Sequence, residues 1–285
     1  MKFAYIIVAH KLPHQLVRLV RALDSPNAIF FIHIDRRSPA DVVEPIKAAI
    51  EGRSNIVFLE RRKCPWGGFG LLAVTLSALH EVAHAPRPAD FAILLTGQDY
   101  PIKPTDYIEA FVAGHPRTSF VTHWALPTDL WRPNGGLNRI EHWHARPWGL
   151  HVRIPLRREL PYGLGPFGGA AFWCLPFEVV KYIDEFVRSR PALVNFFKHV
   201  DVPDELFYQT VILNSPFKHG VVNDNLRFID WGLGDRTHPA ILTREKFSDL
   251  AGSKHLFARK FDETQDAAVL DLIDESIRVA GQSHR

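Results

Sequence analysis

The chain has 285 residues, enough to bury a full hydrophobic core without a disulfide or metal staple. Apolar residues make up 46% and charged residues 23%, which excludes a disordered or collagen-like chain. A net charge of +3 is too near balance for a nucleic-acid binder, while 15 histidines and 7 tryptophans point to a polar surface suited to stacking.

Phe3 to Ala9 is a continuous apolar run, as in a strand buried on both faces. Pro13 then opens a helix whose apolar positions Leu16, Leu19, Val20 and Leu23 recur at helical spacing. Ser25-Pro26-Asn27 breaks it, and Ala28 to Ile34 forms a second strand ending at Asp35. A helix through Val42, Val43, Ile46 and Ile50 follows, then a short strand at Ile56 to Leu59. Gly70 to Val82 reads as a third helix and Phe91 to Leu95 as a fourth strand, ending in Thr96-Gly97-Gln98-Asp99. Such alternation predicts an α/β fold with a mostly parallel central sheet and helices on both faces. Ligands in such sheets bind beyond the carboxyl ends of the strands, where Asp35, Gln98 and Asp99 fall.

The middle of the chain changes character. Five of the seven tryptophans lie between Trp124 and Trp173, among many Pro, Gly, Arg and His, and helical periodicity fades. The expectation there is irregular structure and short strands over one sheet edge, a usual location for binding loops. Phe177 to Val187 and Leu206 to Leu213 are again helical, Gly220 to Trp231 reads as strand, and Thr243 to Leu250 as a helix capped by its threonine. Leu256 to Phe261 is extended or a helix start, and a last helix runs through Val269, Leu272, Ile273 and Ile277.

Cys64 and Cys174 fit no zinc or C-x-x-C spacing and read as reduced thiols, with a single disulfide as the alternative. The apolar N-terminal run lacks a small-residue cleavage site and is too short for a bilayer, and no other stretch nears the roughly 18 apolar residues of a membrane helix. The expectation is a cytoplasmic chain without a transmembrane segment, peripheral membrane contact being left open.

Several segments carry potential chemistry. Pro203-Asp204-Glu205 precedes an apolar helix, so Asp204 or Asp201 reads as its cap, while Glu205 reads as a carboxylate available for proton abstraction. Arg259-Lys260, flanked by Phe257 and Phe261, is either a solvated basic pair or an anchor for a phosphate. His142-Trp143-His144 puts two imidazoles on one strand face, either as zinc ligands or as histidines of a polar cleft. The chain has no Asp-X-Asp tripeptide, no phosphate-binding glycine loop and no Gly-X-Ser-X-Gly elbow.

Read in order, Tyr5-Ile6-Ile7-Val8-Ala9-His10, Phe31-Ile32-His33-Ile34-Asp35, Trp66-Gly67-Gly68, Leu95 to Ile102, Gly168-Gly169-Ala170, Pro203-Asp204-Glu205 and Leu256 to Phe261 follow one another as in a known family. The chain resembles the core-2/I-branching β-1,6-N-acetylglucosaminyltransferases and peptide O-xylosyltransferases (glycosyltransferase family 14), in the form of a compact bacterial-type member without anchor or stem. The resemblance implies a single GT-A type glycosyltransferase domain over 1–285, with a nucleotide-binding half at 1–120 and an acceptor-binding half at 121–285 that ends in a diphosphate-binding segment. It implies inverting transfer of a sugar, N-acetylglucosamine or xylose, from a UDP-sugar to a hydroxyl of a glycan, peptide or other acceptor, without a metal or other cofactor.

On this resemblance Glu205 is the catalytic base and Arg259 and Lys260 hold the diphosphate. Asp35 contacts the uridine, and His10 and Trp66 join the donor side. Glu141, Trp231, Gln98 and Asp99 fall on the acceptor side. Inversion needs one in-line displacement, in which a carboxylate takes the acceptor proton while fixed cations meet the charge gathering on departing UDP. Two other readings stand beside this one: a histidine-rich metal-dependent hydrolase using His142 and His144, and a carbohydrate-binding protein without turnover.

Overall fold

The computed structural model describes residues 1–86, 88–232 and 238–283. In chain order the elements begin with β1 (Phe3–Ala9), α1 (Pro13–Ala22), β2 (Ala28–Ile34), α2 (Ala40–Ile50), β3 (Ile56–Phe58), α3 (Gly70–His84), β4 (Phe91–Thr96), β5 (Asp99–Pro101) and α4 (Thr105–Ala113). They continue with β6 (Ser119–Ala125), α5 (Asn138–Glu141), β7 (Trp143–Ala145), β8 (Val152–Ile154), β9 (Phe167–Pro176), α6 (Phe177–Ser189), α7 (Pro191–Phe197) and α8 (Phe207–Leu213). The last are β10 (Val221–Val222), β11 (Arg227–Ile229), α9 (Phe247–Gly252), β12 (Phe257–Arg259), α10 (Glu263–Asp266) and α11 (Ala268–Ser283). The chain divides into two compact units interleaved in sequence: residues 1–60, 94–116 and 226–285 form the first, and 61–93 and 117–225 the second. Strand β4 runs through the boundary, so it belongs in part to each.

In the first unit β1, β2 and β3 are parallel, with Ile7 opposite Ile32 and Phe30 opposite Ile56. Gly97 N–H donates to the Val8 carbonyl at 3.0 Å, extending the order to β4-β1-β2-β3. Phe3, Tyr5, Ile6 and Ile7 are all buried, which is why β1 and β2 read as unbroken apolar runs. Helix α1 starts on Pro13, whose missing N–H costs nothing at that position, and buries Leu16, Val17, Leu19 and Val20. Each such aliphatic side chain contributes about 1.5–3 kcal/mol by leaving water. A second small sheet orders β11-β12-β5, with β12 parallel to β11 and antiparallel to β5.

In the second unit the order is β10-β6-β9-β4. Strand β9 is antiparallel to both neighbours, pairing Cys174 with Ile93 and with Phe120. Tyr208 on α8 reaches α3, its hydroxyl donating to Thr75 Oγ1 at 2.6 Å. The mainly parallel α/β class expected from the sequence is the one the chain adopts.

Three local expectations are corrected. The stretch from Trp124 to Trp173 holds the short β7 and β8, but it also contains most of β9, a ten-residue strand in the heart of its sheet. Gly220 to Trp231 is two short strands, β10 and β11, in different sheets. Thr243 makes no side-chain cap; the Arg244 N–H donates instead to Asp266 at 3.0 Å. Both cysteines are free thiols, Cys174 buried within β9. Among the described residues no helix is long and apolar enough to cross a membrane.

Candidate active site

In the second unit, Pro203-Asp204-Glu205 forms a single 3-10 turn ahead of α8, whose residues Phe207 to Ile212 are all buried. The turn follows Val202, a β-branched residue at φ 51°, in the left-handed region that such residues rarely adopt. A conformation of this kind costs about 1–3 kcal/mol and persists where the surroundings enforce it. Here the Val202 N–H donates to the Gly67 carbonyl at 3.0 Å and the side chain is buried. The Trp66-Gly67-Gly68 loop therefore ties down the turn that carries Glu205. Gly67 itself has φ 68°, and a Cβ there would strike the guanidinium of Arg146. That guanidinium forms a short ion pair with Asp201.

Arg139 Nη1 donates to Glu205 Oε2 at 3.1 Å, and its guanidinium lies 3.9 Å over the Trp131 ring. Trp131 in turn meets Trp124 edge-on at 5.3 Å. The cap expected of Asp201 or Asp204 is not formed: Asp201 is paired with Arg146, and Asp204 is buried beneath the turn. Burial, followed by the charge of Glu205, pushes the Asp204 carboxyl up to about 7. Glu205 is also raised, by burial first, with Arg139 pulling the other way. A carboxylate so placed gains basicity while keeping a hydrogen-bond partner that orients it.

In the first unit, Arg259 ends β12 opposite Asp99 of β5. Arg259 Nη1 lies 3.2 Å from Asp99 Oδ1, and the other Asp99 oxygen accepts from Thr96 N–H at 2.7 Å. The buried Arg227 lies 4.0 Å from the same carboxylate and donates to the Leu94 carbonyl through a short bond. Lys11 Nζ is 2.7 Å from Asp262, which also caps α10. Lys260 is held below the usual lysine range by burial, by Arg259 and by Lys11. His10, at the carboxyl end of β1, is lowered by partial desolvation and by Lys11. Lys11, Arg227, Arg259 and Lys260 thus face Asp99 and Asp262 with positive charge in excess, an environment that an anion would relieve.

The remaining residues singled out from sequence fall as follows. Asp35 is buried, with both carboxylate oxygens taken by the Arg37 side chain. Gln98 is buried and donates to the Phe261 carbonyl at 2.9 Å, so Gln98 and Asp99 brace the segment bearing Arg259 and Lys260. Trp66 is two-thirds exposed and belongs to the unit of Glu205, whereas His10, Asp35, Arg259 and Lys260 share the other. Glu141 ends α5 and lies 3.9 Å from Arg157, and Trp231 is half exposed in the first unit. His142 precedes β7 and does not join His144 in a ligand set; His144 groups instead with His151 and Asp201. In that group Asp201 is already paired with Arg146, and His144 Nε2 donates to the Asn138 carbonyl at 2.8 Å. Arg139, Arg146 and Lys11 are not marked by any motif in the sequence, and Asp201 is marked there only as a helix cap, not as the partner of Arg146. Lys11 adjoins a quoted motif, but Arg139 meets Glu205 across 66 positions, which no local pattern reports.

The chain belongs to the Core-2/I-Branching enzyme family, which it matches over residues 3–251. It is 28% identical to xylosyltransferase 2 of Canis lupus familiaris, over 96% of this chain and 33% of that protein. Against xylosyltransferase 1 of Homo sapiens it is 27% identical, over 81% of this chain and 24% of that protein. The chain therefore spans about a third of the length of the curated relatives it matches. Among solved structures, galactosyltransferase LgtC in complex with donor and acceptor sugar analogs superposes with a TM-score of 0.44 at 10% identity, covering 96% of this chain and 95% of that one.

Proposed function

We propose that the chain is an inverting, UDP-sugar-dependent glycosyltransferase of the GT-A type that works without a metal. The observation carrying this reading is the crowding of Lys11, Arg259 and Lys260, in which Lys260 is pulled below its usual range by burial and by like charge. Such a group gains most when an anion arrives, and a nucleoside diphosphate brings charge enough to offset the cations. Arg259, fixed by Asp99, supplies directed donors, and Lys260 a compact charge. Asp35, with both oxygens held by Arg37, is assigned to support of the uridine side, and His10 of the same unit to the donor. Glu205 is the base, oriented by Arg139 and made more basic by burial. Glu141 and Trp231 are assigned to the acceptor, a hydroxyl of a glycan or peptide. Gln98 and Asp99 are reassigned from acceptor contacts to support of the cationic segment, because both are buried and bonded within the protein.

The names of the relatives, xylosyltransferases 1 and 2, favour xylose over N-acetylglucosamine as the transferred sugar. The test is Glu205→Gln assayed with UDP-xylose and UDP-N-acetylglucosamine. The variant keeps UDP affinity and loses turnover by a factor of about 100 or more. Unchanged turnover would move the base elsewhere.

A further inference from the structure

Helices α3 and α6 of the second unit pack side by side, and a second set of polar groups stands on their outer surface. His80 and His84 lie one helical turn apart on α3, about half exposed, over the largely buried Asp184 of α6. His80 Nδ1 is 2.9 Å from Asp184 Oδ1, and His84 Nδ1 is 3.9 Å from Asp184 Oδ2. One ligand atom from each of the three lies within 4.8 Å of the others. We propose that His80, His84 and Asp184 form a surface site for a divalent transition-metal ion of the zinc class, distinct from the residues assigned to sugar transfer.

The chemistry fits. Two imidazoles and a carboxylate suit zinc, with water in the fourth position. Tetrahedral bonds of about 2.0–2.1 Å need ligand atoms about 3.4 Å apart, a closure within reach of half-exposed histidines. His84 Nδ1 donates to the His80 carbonyl at 2.9 Å. A carbonyl only accepts, so this bond fixes the tautomer and leaves Nε2 with its lone pair, an outer-shell arrangement typical of metal-binding histidines. A cation already answers this cluster: Arg188 Nη1 lies 3.5 Å from His84 Nε2 and 3.7 Å from Asp184 Oδ2. Arg188 is therefore a competitor, and its removal opens the site.

Calorimetric titration of the folded chain with zinc chloride tests this. Wild type binds one ion, and His80→Ala and His84→Ala each weaken binding beyond the roughly 10–100-fold lost with an outer-shell partner. Arg188→Gln removes a positive charge beside the ion and tightens binding about 10-fold, a gain that a misfolded variant would not show. His151→Ala leaves binding unchanged and controls for the other histidine group. The proposal is overturned if His84→Ala binds zinc as wild type does, if Arg188→Gln gains nothing, or if His151→Ala alone abolishes binding.

Discussion

As the proposed base, Glu205 works only when ionised, and burial, Arg139 and Asp201 set when that happens. Burial raises its pKa and the Arg139 guanidinium opposes the rise. The kcat/KM profile therefore has an acid limb above the ordinary carboxylate range, and Arg139→Met moves that limb to higher pH; an unmoved limb would remove Arg139 from its positioning role. Asp204 gives a stability prediction. Its carboxyl titrates near 3.8 when unfolded and near 7 in the fold, so between those values the unfolded state releases the proton first. Its contribution is complete below the unfolded pKa and is lost as pH rises through about 7. Asp204→Asn removes this loss, so thermal unfolding followed from about pH 5 to about pH 8 shows a flatter decline, on the order of a few kcal/mol. Glu205, Arg259 and Lys260 were visible as candidates because each sits in a short ordered motif. Arg139 was not, and Asp201 stood out only as a helix cap, since their pairings with Glu205 and Arg146 cross the fold and no local pattern reports them.

Strand β9 shows why one element escaped. Its first residues, Phe167-Gly168-Gly169-Ala170-Ala171, carry little side-chain bulk, so neither alternation nor apolar content marks a strand. The glycines are required by close approach: a Cβ on Gly169 would collide with the Thr122 carbonyl of β6, and one on Gly168 with the Trp131 ring. Gly169→Ala accordingly parts β6 from β9 and lowers stability by about 1–3 kcal/mol in chemical denaturation. Gly67→Ala acts differently, through a strained backbone and a displaced Arg146. It lowers turnover more than melting temperature, because the loop it distorts holds Val202 beside the Glu205 turn. Equal losses in both would make the loop a matter of folding alone. By contrast β1, β2, α1 and α3 were legible almost to their ends, being continuous apolar runs or clear helical stripes.

Across the whole molecule, the class of fold and the family were both readable, the first from strand–helix alternation and the second from seven motifs in order. The interleaving was not. Residues 226–285 return to the unit begun by 1–60, a long-range choice set by the pairing of β12 with β5 that local pattern cannot report. That return carries Arg259 and Lys260 into the unit that holds His10, Lys11 and Asp35. This cationic group is the one proposed to receive a nucleoside diphosphate without help from a metal. Calorimetry with UDP in excess EDTA measures it directly. Wild type binds, and Arg259→Ala combined with Lys260→Ala abolishes binding while the chain stays folded. Undiminished UDP affinity in the double variant, or binding by wild type only when a divalent ion is restored, would contradict the account.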